Sequence, residues 1–89
     1  MVNQTYTVIA ESGIHARPAS GLVQLASKYV SDITVEFKEK KANLKSILGV
    51  MSLGIGQGAS FSILAEGTDE QEAIEAIENY LTSQGIVSL

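Results

Sequence analysis

The 89-residue chain contains no cysteine and no tryptophan, and only one histidine, one proline and one arginine. Without cysteine there are no disulfides and no thiolate metal sites, and a reducing compartment is allowed. With a single histidine a zinc site would have to be built mainly from carboxylates, so no metal and no cofactor is expected. No apolar run approaches the roughly 18–20 residues of a membrane span. The opening MVNQTYTVIA lacks the basic start and apolar stretch of a secretory signal. These absences predict a cytoplasmic protein with no membrane insertion. Positive charge is also scarce: the formal net charge is −4, which disfavours a nucleic-acid partner. Residues 1–45 hold all six Lys/Arg and four acids; residues 46–89 hold six acids and no base. The first half therefore has the basic surface suited to an acidic partner.

A chain this short buries roughly 60–65% of its unfolded surface, enough for one small core. A single domain over residues 1–89 is expected. Hydrophobic residues make up 45% and charged residues 18%, too apolar for disorder. No internal repeat or low-complexity linker is present. Thr5–Ala10 reads as a strand, broken by Ser12-Gly13. A helix follows with Pro18 in its first turn, where a missing N–H costs nothing. Ala19, Leu22, Val23, Ala26, Tyr29 and Val30 would form its buried face, and Ser31-Asp32 its end. Ile33, Val35 and Phe37 alternate with polar residues as a second strand. Glu39-Lys40 turns into a short strand near 41–44. Residues 45–53 suit a short helix with Ser46 as N-cap. Gly54, Gly56 and Gly58 mark a loop, and Phe61, Ile63 and Ala65 alternate as a fourth strand. Thr68 and Gln71 read as a capping box. Ala73, Ile74, Ile77 and Leu81 then give the stripe of a last helix, with Gly85 as C-cap. The order β-α-β-β-α-β-α predicts an α+β fold, with helices covering one face of a mainly antiparallel sheet.

The rare residues cluster in Ser12–Ser20, SGIHARPAS. His15 precedes a helix whose first N–H groups attract anions. Arg17 brings donors shaped for phosphate oxygens. Neutral imidazole is a good nucleophile near pH 7. Together these suit a phosphoryl group carried on a ring nitrogen. The same local pattern also fits a capping or surface histidine beside a solvated arginine. An enzyme site would need a second nucleophile or base, and only Glu11 stands near. Gly49 and Gly54 have P-loop spacing, but Ile55-Gly56 replaces the required Lys-Ser/Thr. Glu70, Glu72, Glu75 and Glu78 read as a solvated helix face. An RNA-binding domain is disfavoured by the acidic balance and the lack of strand aromatics at stacking positions.

The segment Gly13-Ile14-His15-Ala16-Arg17-Pro18-Ala19 resembles the active-site signature of HPr, the histidine-containing phosphocarrier family of the bacterial phosphoenolpyruvate:sugar phosphotransferase system. Residues 43–54, NLKSILGVMSLG, resemble the regulatory-serine region of the Gram-positive type. The resemblance covers essentially the whole chain. It implies an open-faced β-sandwich, a four-stranded antiparallel sheet with three helices on one face. It implies that His15 accepts a phosphoryl group on Nδ1 from phosphorylated enzyme I and passes it to IIA domains, with Arg17 contacting the phosphoryl oxygens. The chain would be a carrier, not an enzyme. Ser12, Ala16 and Pro18 would surround the phosphate, and Ser20 would flank it at the interface. Ser46 resembles the target of the HPr kinase/phosphorylase, whose product recruits a repressor of the catabolite control protein A type. A plain N-cap explains Ser46 equally well, and both readings hold together. Helical spacing alone places Ile47, Leu48, Met51 and Leu53 in the core; the resemblance makes Ile47, Leu48 and Met51 partner-facing. The alternative function is a regulatory binding module acting mainly through phospho-Ser46.

Overall fold

The computed structural model describes residues 1–88. Seven elements follow in the order β1 (Val2–Thr7), α1 (Ala16–Ala26), β2 (Asp32–Phe37), β3 (Lys40–Asn43), α2 (Ile47–Ser52), β4 (Ser60–Glu66) and α3 (Glu70–Ser83). The strands form one antiparallel sheet in the order β1-β4-β2-β3. Ile33, Val35 and Phe37 on β2 and Phe61, Ile63 and Ala65 on β4 are buried, as their alternation requires. They meet Ala19, Leu22 and Ala26 of α1, Val50 of α2, and Ala73, Ile74, Ile77 and Leu81 of α3 in one core. Each fully buried Ile, Leu or Phe contributes about 1.5–3 kcal/mol. The other face of the sheet is open, and there Thr5 pairs with Ser62 (2.8 Å) and Thr7 with Ser60 (3.1 Å) through their hydroxyls. This is the α+β open-faced sandwich with three helices on one face. No helix among the described residues is long and apolar enough to cross a membrane.

Four local expectations shift. The first strand begins at Val2, not Thr5. Its polar Asn3, Gln4 and Thr5 are exposed at a sheet edge, and only Tyr6 points fully inward. Tyr6 tilts against the Phe61 ring, 5.7 Å between centroids, and its hydroxyl donates to Glu78 Oε1 at 3.0 Å. Burial, with that hydrogen bond and the Glu78 charge, pushes the Tyr6 phenol well above its ordinary range. Helix α1 stops at Ala26, four residues before Val30. Ser27 Oγ donates to the Val23 carbonyl (2.7 Å), and Lys28 and Tyr29 N–H groups reach back only three residues, tightening the last turn. Tyr29 is half-buried, while Val30 is 76% exposed and not part of the core. The β2–β3 turn is Lys38-Glu39, not Glu39-Lys40, because Phe37 pairs with Lys40. Both turn residues are left-handed, with φ of 50° and 67°. That is the two-residue hairpin geometry which matches strand twist but favours Asn-Gly.

The capping box at Thr68 and Gln71 does not form. Asp69 takes the N-cap position, and Gln71 Nε2 instead donates to Glu75 (3.0 Å). Reciprocal bonds run one position earlier: Gly67 N–H donates to Glu70 Oε1 (3.1 Å) and Glu70 N–H to the Gly67 carbonyl (3.3 Å). The Asp69 carboxylate serves another segment. It accepts from Val30 N–H (2.9 Å), Ser31 N–H (3.0 Å) and the Ser31 hydroxyl, tying the α1–β2 connection to the start of α3. At the far end of α3 Gly85 (φ 69°) follows Gln84 at the C-cap. Gly85 N–H donates to the Thr82 carbonyl (3.1 Å) and Ile86 N–H to that of Leu81 (3.0 Å), a Schellman motif.

Two outcomes test these points. Replacing Glu39 with Gly removes a left-handed Cβ, and urea unfolding should show a gain of about 0.5–1 kcal/mol. The bonds from Ser31 and Val30 hold the Asp69 carboxyl below the usual aspartate range. Its contribution to stability is therefore complete above the unfolded pKa of about 4 and is lost as pH falls through the lower folded value. The stability gap between wild type and Asp69→Asn should be flat from pH 5 to 7 and narrow below pH ~4.

Candidate functional site

His15 occupies the N-cap position of α1 in an extended conformation (φ −92°, ψ −173°). Its carbonyl accepts from Ala19 N–H (3.0 Å), the first bond of the helix. Its side chain makes no capping hydrogen bond and is exposed. The capping role open to a histidine at this junction is therefore not what the ring does. Ala16 and Arg17 follow as the first helical residues, and their N–H groups have no acceptor one turn back. Pro18 has no N–H and is buried.

Local turns fix this junction. Gly13 N–H donates to the Ala10 carbonyl (3.0 Å), closing a turn with Glu11 and Ser12 at its corner. Gly13 is left-handed (φ 63°), and a Cβ there would lie 2.5 Å from the Ile55 carbonyl oxygen and 2.7 Å from Gly56 Cα. The same Ile55 carbonyl accepts from Ile14 N–H at 3.0 Å. On the other side Ile9 and Ala10 N–H groups donate to the Ile86 carbonyl (2.8 and 3.4 Å), bringing the end of α3 to the junction.

The result is an open cavity of about 300 Å³ lined by Ala10, Glu11, Ser12, Gly13, His15, Arg17, Pro18, Gln84 and Ile86. A nucleophilic ring, a guanidinium and a serine hydroxyl thus line one cavity. That set can receive an anion on the imidazole and neutralise it with the guanidinium. Ala16 and Ser20 are exposed on α1 but do not line the cavity. Gln84 and Ile86 were missed by sequence reasoning, since only the Ile9–Ile86 bonding, 77 positions apart, brings them here. The larger cavity of about 480 Å³ lies between β2 and β3, beside Lys41 and Lys45 and away from this chemistry. Among the described residues no cluster of acids and histidine is placed to hold a metal ion.

Ser46 lies outside the cavity, at the N-cap of α2. Its Oγ accepts from Gly49 N–H (3.2 Å), and the residue is exposed. On α2 Val50 is buried, and Leu53 just beyond it is 9% exposed. Leu48 is 80% exposed, and Ile47 and Met51 are exposed beside it. Helical spacing alone would have put all of these apolar residues inside. The helix is too short to bury two faces.

A family model described as the PTS HPr component phosphorylation site matches residues 2–83. The chain belongs to the HPr family. Its fold matches the histidine-containing phosphocarrier protein of a Mycoplasma at 38% identity and a TM-score of 0.96, covering 99% of this chain and 100% of that one. It matches HPr of Thermoanaerobacter tengcongensis at 48% identity and 0.90, covering 94% of each chain. Crh of Bacillus subtilis, a catabolite-repression protein solved as a domain-swapped dimer, matches at 41% identity and 0.74, covering 97% and 99%. As an HPr-family protein, the chain is a phosphocarrier of the phosphotransferase system that works with that system's enzymes, and is not itself a catalyst.

The close approach at Gly13 gives a direct test. Gly13→Ala should lower stability by at least about 1–2 kcal/mol from the left-handed strain alone. It should also shift the amide signals of both the 13–18 and 54–57 segments in NMR spectra.

Proposed function

We propose that His15 is the phosphoryl acceptor. The observation that carries this reading is an exposed imidazole, uncommitted to capping, that lines one cavity with Arg17. The Nδ1 lone pair of the neutral ring attacks the phosphorus of phosphorylated enzyme I. A P–N bond forms at His15 as the donor's bond to phosphorus breaks, and the donor keeps that electron pair. Arg17 neutralises the phosphoryl oxygens, with the Ala16 and Arg17 N–H groups and the Ser12 hydroxyl as further donors. Pro18 shapes the first turn, and Ser20 flanks the docking surface. A histidine of a IIA domain then takes the group in the reverse sense. No general base is needed, because the attacking nitrogen carries no proton. The chain acts as one domain in the cytoplasm.

Ser46 is proposed as a regulatory site for the HPr kinase/phosphorylase. Its hydroxyl is exposed, and Ile47, Leu48 and Met51 beside it offer apolar area for transient partners. A phosphate there adds about −1.5 to −2 charge, which repels an acidic enzyme I surface and recruits a basic repressor of the catabolite control protein A type. The similarity to Crh points to a second reading, without favouring it, in which this regulatory role dominates.

Incubation with phosphoenolpyruvate and enzyme I, followed by intact mass at neutral pH and after brief acid, separates the two readings. One acid-labile phosphate is expected, absent in His15→Ala and formed about 10²-fold more slowly in Arg17→Ala. No added mass, with an enzyme I active on another HPr, would overturn the carrier assignment and leave Ser46 as the functional residue.

A further inference from the structure

Glu11 is the one acidic side chain among the described residues that lines the His15 cavity. The Ala10–Gly13 turn carries it, opposite in charge to Arg17, which lines the same cavity. Phosphoryl acceptance makes no use of a carboxylate, since Nδ1 attacks without a base. We propose that Glu11 sets the transfer potential of the phosphoryl group: it destabilises phospho-His15 by charge repulsion and so drives the group onward. This rests on the phosphocarrier reading above.

Without the phosphoryl group, Arg17 and Glu11 contribute cancelling formal charges to the cavity. Transfer of the phosphoryl group to the neutral ring, with no proton lost, adds about one net negative charge, centred on the phosphoryl oxygens, which Arg17 attracts and Glu11 repels. Groups around a cavity of this size lie within about one Debye length, about 8 Å at physiological ionic strength, so the repulsion is only partly screened. It acts on the phosphorylated state alone. A carboxylate that cost nothing before transfer and something after it lowers the affinity of His15 for the group without blocking its arrival. Glu11 makes no bond to phosphorus and moves no proton; it acts through space on the group that His15 holds.

Competition between two copies measures this directly. Isotopically labelled wild type and unlabelled Glu11→Gln are mixed in equal amounts with limiting phosphoenolpyruvate and a trace of enzyme I, which equilibrates the group between them. Intact masses then give the partition. Glu11→Gln should hold about two- to fivefold more phosphate than wild type at low salt. The ratio should fall toward one at 1 M salt, where the Debye length is about 3 Å. Glu11→Asp, which restores the charge, should partition like wild type. A structural effect of the turn would not follow salt in this way, nor be rescued by charge. Equal partition at low salt overturns the proposal while leaving the carrier function intact. Failure of the wild type to take up phosphate overturns the carrier reading, and this proposal with it; failure of Glu11→Gln alone overturns only the proposal.

Discussion

The bond from Ile14 N–H to the Ile55 carbonyl, with Gly13 pressed against Gly56, is the constraint on which the site depends. It joins the strand that ends before His15 to the loop that follows α2. Only a residue without Cβ fits at position 13, because of both its left-handed φ and the backbone beside it. The clasp sets where α1 begins, and so where the His15 ring leaves the chain. It also ties the loop that follows α2 to the junction that carries His15.

A second clasp faces the first. The Schellman motif after α3 turns Ile86 back toward the core, and its carbonyl then receives Ile9 and Ala10. Ile86 and Val87 are both buried, so this return is held by packing as well as by backbone bonds. Three segments far apart in the chain thus meet around one histidine. In a domain with a single core, each backbone bond at such a junction fixes a rim that no larger scaffold supports.

Much of this was legible beforehand, for reasons that differ by element. β2, β4 and α3 show their periods because each buries one face and leaves the other wet. The edges were less legible. β1 reads poorly because a sheet-edge strand with one inward residue, Tyr6, has almost no alternation to detect. Val30 looked like core because its spacing fits α1, but the Ser27 hydroxyl competes for the Val23 carbonyl and the helix ends first. The α3 cap was misplaced because Asp69 has two possible uses, and bonding to Val30 and Ser31 is long-range. The centre of the candidate site, His15 with Arg17 lining one cavity, is local in sequence and was read locally. Its far wall, Gln84 and Ile86, depends on tertiary bonding that no spacing encodes.

The site's modest equipment is itself consistent with carrying rather than catalysing. Pro18 deletes one of the N–H groups that a helix start would otherwise aim at an anion, leaving those of Ala16 and Arg17. The cavity is open, and only one cation lines it among the described residues. A deeper pocket with more donors would hold the phosphoryl group more tightly, but a group held tightly is a group given up slowly. Binding energy spent on the phosphorylated state raises the barrier to the next transfer unless the transition state gains equally. On the proposed reading, an exposed ring with one arginine keeps that state shallow. It leaves most of the stabilisation of each transition state to whichever partner is docked at the time.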